Sequence, residues 1–158
     1  MASTPLAGGE VRVSYAPISD LADPVVLERA LTWLGADERA RYERFSGDND
    51  RRMFLLGRVM ARALIGEALG VAATAWRWRD GPRGRPEIAS QPTALQFNLA
   101  HSAGLVVCAL AVGRDVGVDV EDLARRPVEP AVVRRYCSPE EIRDIEGQHD
   151  RWHDRFFR

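Results

Sequence analysis

Two acidic residues, Asp119 and Glu121, stand two apart in Val116-Gly117-Val118-Asp119-Val120-Glu121. In an extended strand, residues two apart face the same side, so both carboxylates would project together while Val118 and Val120 point the other way. Such a pair can hold one hard cation. Magnesium usually takes one or two protein carboxylates and completes its shell with water and substrate phosphates. A solvated strand edge, with Asp122 extending an acidic rim, accounts for the same pattern. His101, within Asn98-Leu99-Ala100-His101-Ser102, is open in the same way between a ligand contact and a surface or internally satisfied histidine.

The positive charge is of one kind. All 22 basic side chains are arginines, so every fixed cation is a planar guanidinium able to make bidentate contacts to phosphate. A codon bias toward arginine explains the composition equally well, and only placement gives an individual arginine meaning. The formal net charge of -1 excludes a wholesale nucleic-acid or polyanion binder, so any phosphate recognition must be local. Cys108 and Cys137 have neither metal-binding spacing nor a disulfide framework. The N-terminus lacks a long apolar core, and no stretch approaches the roughly 20 apolar residues of a membrane span. The expectation is a cytoplasmic protein with neither membrane nor nucleic acid as partner.

Several elements must position these residues. Val11 to Tyr15 alternates as a half-buried strand, Pro24 can open a helix to about Leu34, and Asp37 to Phe45 reads as another. From Asp50 to Leu69, Met53, Leu56, Met60 and Leu64 recur at helical spacing while Arg51, Arg58 and Arg62 share another face, with Gly70 a plausible stop. Ala75 to Arg79 can form a strand, and Gly81-Pro82-Arg83-Gly84-Arg85-Pro86 a loop. Strands are expected at Leu95 to Leu99, Leu105 to Val112 and Val116 to Glu121. Ser138-Pro139-Glu140-Glu141 predicts a capped helix through about Glu146. This order favours an α+β architecture, with a border near Gly113 to Asp115 that separates residues 1–113 from residues 114–158.

Four blocks in succession, Gly84-Arg85-Pro86, Phe97 to Ser102, Val116 to Glu121 and Tyr136 to Glu141, resemble the pattern of the 4'-phosphopantetheinyl transferases. Arg41 to Phe45, and Leu56-Gly57-Arg58 with Arg62, resemble the larger, single-chain branch of that family. The resemblance spans roughly Asp37 to Phe157 and implies two similar α+β subdomains, the second incomplete.

It also implies Mg2+-dependent transfer of the phosphopantetheine arm of coenzyme A to a serine of an acyl or peptidyl carrier protein. Asp119 and Glu121 match the catalytic metal ligands. Arg41, Arg85, His101 and Ser102 fall where the family contacts coenzyme A. Ala100 replaces a serine frequent in the family. Members normally continue into a Trp-x-x-Lys-Glu-Ala-type helix that supplies a further carboxylate, which Trp152-His153-Asp154-Arg155 does not reproduce. A positioned general base commonly contributes about 10²- to 10⁴-fold in rate, so the expectation is impaired transfer, and a degenerate coenzyme A or carrier-protein binding module is the alternative.

Overall fold

The computed structural model describes residues 6, 8–81, 86–89, 94–124, 129–147 and 155–156. The alternating segment forms strand β1 (Val11–Pro17), and a single 3₁₀ turn (Ile18–Leu21) follows it. Asp23 caps helix α1 (Pro24–Leu31), its carboxylate accepting from the Val25 N–H at 2.8 Å while Pro24 occupies the first helical position. Helix α2 is Ala36–Arg44 and helix α3 is Asp48–Leu69. Two short strands, β2 (Trp78–Asp80) and β3 (Pro86–Ile88), pair antiparallel. Strands β4 (Leu95–Ser102) and β5 (Leu105–Val112) then form a hairpin. Its two-residue turn uses Ala103 and Gly104, both with positive φ, as the twist of a tight hairpin requires.

The main sheet has the order β1-β5-β4, antiparallel throughout. β5 is central and almost wholly apolar, because both of its faces are buried. One face, carrying Val106, Cys108 and Leu110 of β5 with Leu95 and Phe97 of β4, joins a core with Leu55, Leu56, Met60, Ala61 and Ile65 of α3. Burial pushes the Cys108 thiol up to about 12. The alternation that brings Leu95, Phe97 and Leu99 to this core also brings His101 to the same side, and sends Asn98 and Ser102 to the opposite one.

Helix α3 ends as its glycines dictate. Gly70 takes the left-handed conformation (φ 68°), and the Val71 N–H reaches back to the Gly66 carbonyl at 2.9 Å. This fold-back presses the following chain onto Gly66, where a Cβ would lie 2.9 Å from the Val71 carbonyl oxygen and 3.0 Å from the Ala73 Cα.

The chain divides into two units, Met1–Val120 and Glu121–Arg158. The turn at residues 113–115, where the sequence suggests a border, lies inside the first. The expected strand at Val116–Glu121 does not form: this stretch has no ladder partner among the described residues. A side chain holds it instead, the Asn98 amide oxygen accepting from the Val118 N–H at 3.0 Å. The second unit contains α4 (Pro130–Tyr136), which the sequence reading does not anticipate, and α5 (Pro139–Glu146), which it does. Each buries one aliphatic side chain, Val133 and Ile145. At the start of α5, Ser138 and Glu141 form the expected capping box, and the hydrogen bonds from Ser138 hold the Glu141 carboxyl below its ordinary range.

Two outcomes follow from this packing. Gly66→Ala should lower stability by about 1–3 kcal/mol in thermal or urea melts, because its neighbours are backbone atoms that cannot yield. Cys108 should resist iodoacetamide at pH 8 in the folded chain and react once urea unfolds it, as mass spectrometry would read directly.

Candidate functional site

A cavity of about 480 Å³ opens in the first unit between α2, α3 and the α3-facing side of the sheet. Arg41 of α2, Phe54 and Arg58 of α3, Pro86 of β3, and Leu99 and His101 of β4 contribute to its wall. The lining thus combines two guanidiniums and an imidazole with apolar and aromatic surface, and Asp50 contributes one carboxylate. A ligand with anionic groups attached to a flat or apolar body suits such a wall. A neighbouring recess of about 380 Å³ shares Arg41, Phe54, Arg58 and Pro86 and adds Arg44, Arg79 and Trp78.

Behind this wall lies a buried polar cluster. Glu38, 9% exposed, sits in the first turn of α2, where its Oε2 accepts from the Gly35 N–H at 2.8 Å and so satisfies a free donor at the helix start. The same oxygen accepts from Arg62 Nη2 at 2.6 Å, and Oε1 accepts from Trp78 Nε1 at 2.6 Å. Arg58 Nε lies 3.6 Å from Oε1, an ion-pair distance. Arg62, 5% exposed, also donates to the Trp76 carbonyl at 3.2 Å, while the Trp76 indole donates to the Arg62 carbonyl at 3.4 Å. Its Nε is buried without a hydrogen-bond partner among the described residues. The Trp76 and Trp78 rings meet edge-on at 4.8 Å, and both guanidiniums stack on Trp78, at 4.3 Å for Arg58 and 4.9 Å for Arg62.

The sequence places Arg51, Arg58 and Arg62 on one face of α3; in the structure Arg58 and Arg62 turn to the buried Glu38, whereas Arg51 stays part-exposed, donating to the Phe45 carbonyl at 2.8 Å and pairing with Asp48. Glu38, Trp76 and Trp78 escape sequence reasoning altogether. The available signal is Trp76-x-Trp78: two indoles need acceptors when buried, and the segment itself offers no acidic side chain before Asp80.

Of the residues singled out for chemistry, Arg41 and His101 come together in the cavity. Arg85 lies outside the described residues, as do Trp152, His153, Asp154 and Phe157. Ser102 ends β4 on the opposite face from His101 and is not among the cavity residues. Asp119 is exposed near the end of the first unit, its carboxylate accepting from the Val120 N–H at 2.9 Å. Glu121, also exposed, opens the second unit. Asn98 and His101 are three residues apart in β4, about 10 Å along the strand, so the tether of the acidic segment and the cavity histidine share one strand. Among the described residues no group of three or more His, Cys, Asp or Glu side chains is arranged to hold a metal ion.

Over part of its length the chain has the fold of the holo-acyl-carrier-protein synthases. A holo-(acyl-carrier-protein) synthase from Bacillus anthracis, solved in complex with CoA (3',5'-ADP), superposes with a TM-score of 0.53 at 16% identity, covering 65% of this chain and 93% of the synthase. The Helicobacter pylori synthase in complex with coenzyme A gives 0.50 at 12% identity. Residues 23–112 match the family described as "4'-phosphopantetheinyl transferase, N-terminal", and the chain belongs to the 4'-phosphopantetheinyl transferases. It is 31% identical over 126 residues to the 4'-phosphopantetheinyl transferase HetI of Nostoc sp., covering 78% of this chain and 53% of that protein. Identity to a 4'-phosphopantetheinyl transferase of Bacillus subtilis is 27% over 131 residues, covering 82% and 57%. The chain therefore spans about half the length of these relatives. No helix among the described residues is long and apolar enough to cross a membrane.

Removing Arg62 should be costly. Arg62→Leu leaves the buried Glu38 carboxylate without its closest cation, and a loss of about 3 kcal/mol is expected in urea unfolding.

Proposed function

We infer that this chain supplies the coenzyme A-binding part of a transferase that moves the 4'-phosphopantetheine arm of coenzyme A onto a serine of an acyl or peptidyl carrier protein. The observation that carries the reading is the convergence of Arg41 and His101, from a helix and a strand 60 residues apart in sequence, on one cavity that also takes in Arg58 and Phe54. Both belong to the set that the family pattern assigns to coenzyme A. Relatives bearing the transferase name and synthase structures solved with coenzyme A support it.

In the proposed reaction the serine hydroxyl oxygen attacks the phosphorus that bears the pantetheine arm. A new P–O bond forms to the serine, the bond to the bridging diphosphate oxygen breaks, and adenosine 3',5'-bisphosphate leaves while the serine proton passes to a base. Arg41 and His101, with Arg85 where the family pattern assigns it, hold the phosphates of coenzyme A in directed hydrogen bonds and fix the scissile diphosphate. Ser102, on the other face of β4, is left out of this set. Asp119 and Glu121 are the proposed ligands of Mg2+, which when bound supplies charge stabilisation to the diphosphate. Asn98 holds the backbone one residue before Asp119 and so limits where that carboxylate can reach.

Calorimetry with coenzyme A tests the reading. Arg41→Ala and His101→Ala should each weaken binding about tenfold, close to the 1.4 kcal/mol expected for loss of one charged contact. Asp119→Ala should abolish the strengthening of coenzyme A binding by Mg2+ and the transfer of labelled phosphopantetheine to an apo carrier protein. Absence of coenzyme A binding by the unmodified chain would sink the proposal, whereas binding without transfer to any carrier protein would favour a pure binding module.

A further inference from the structure

We propose that Gly57 of α3 is a specificity-determining residue of the cavity: its bare backbone keeps the floor deep enough for the uncharged body of coenzyme A to settle beside His101. This rests on the reading of the cavity as the coenzyme A site. Gly57 is buried in the interior of a 22-residue helix, where glycine is disfavoured against alanine by about fivefold in the folding equilibrium. Backbone conformation does not require it, because its φ is not in the left-handed range. Crowding does not require it either. A Cβ at this position would lie 3.7 Å from Val106 Cγ1 and 4.0 Å from Leu99 Cδ1, which is ordinary van der Waals contact, whereas a Cβ at Gly66 would meet backbone atoms at 2.9 to 3.1 Å.

What the glycine does keep is room. Met53, Phe54, Gly57 and Arg58 all line the cavity, and their spacing puts them on one face of α3 over successive turns. Gly57 is the member of this strip that adds no side chain. The two groups its Cβ would touch, Val106 and Leu99, line the same cavity, so the added methyl would stand on the cavity floor between helix and sheet. Val106 is the ladder partner of His101 across β4 and β5, which sets this room next to the imidazole. A ligand body seated on a floor raised by one methyl must lift away from the side chains that hold its phosphates, and directed hydrogen bonds weaken steeply with such displacement. Arg41 and His101 thus select for charge, and Gly57 for how deep the uncharged remainder can descend.

Thermal melting and calorimetric titration with coenzyme A, on the full chain and its Gly57→Ala variant, test this. The variant should melt about 2–4 °C higher, since alanine favours the helix and its methyl fits. It should also bind coenzyme A about tenfold more weakly, as expected when one methyl group overfills a packed contact. Stability and affinity thus move in opposite directions, which a residue serving only the fold would not produce. Gly66→Ala, at a position that does not line the cavity, should do the converse and melt lower with affinity unchanged. A lower melting temperature for Gly57→Ala would mean that packing demands the glycine, and unchanged affinity would mean that the ligand does not reach the floor. Either result, or an equal loss of affinity in Gly66→Ala, overturns the inference and leaves the cavity reading standing. No binding by the unmodified chain overturns both.

Discussion

A single carboxylate ties together three pieces of the first unit. Glu38 closes the first turn of α2, neutralises Arg62 on α3 and accepts from the Trp78 indole at the start of β2. A buried charge is tolerable only when paired and hydrogen-bonded, and each partner here comes from a different segment. The cluster therefore specifies how α2, α3 and the β2 segment meet, a task that apolar contacts alone perform with less precision. Around it the apolar core follows ordinary rules, with α3 laid on a three-stranded sheet whose central strand is buried on both faces.

The cavity is a by-product of that junction. Its walls come from α2, α3, β3 and β4, and its two guanidiniums belong to the helices that Glu38 joins. Phe54 serves both as wall and as stacking partner, lying 5.4 Å from the Arg41 guanidinium and 5.2 Å from that of Arg58. Stability and ligand recognition thus draw on overlapping sets of residues. Substitutions behind the wall should be felt at its surface, because a guanidinium held by stacking and charge moves when either support is removed.

Much of this fold was legible in the sequence because the longer elements announce themselves. Helix α3 carries a 22-residue amphipathic pattern closed by Gly70, and β5 an eight-residue apolar run bounded by turn residues. α5 begins with serine, proline and glutamate in capping order. Shorter elements gave no such signal: β2 and β3 have three residues each, too few for a period to show. The Val116–Glu121 stretch has the alternation of a strand, but strand status depends on a neighbour, and the Asn98 side chain ties it to β4 at Val118. The site was half visible. Arg41 and His101 were recognised by family pattern and do converge, whereas the Glu38 cluster was not, since its partners are 24 and 40 residues away and only folding brings them together.

The anchor of the acidic segment is an amide, not an ion. Asn98 grips Val118 through a hydrogen bond between uncharged groups, which mobile ions do not screen and proton uptake near neutrality does not dissolve. The tether therefore responds little to salt, unlike a link made by an ion pair, and the segment stays fastened to β4 by neutral groups.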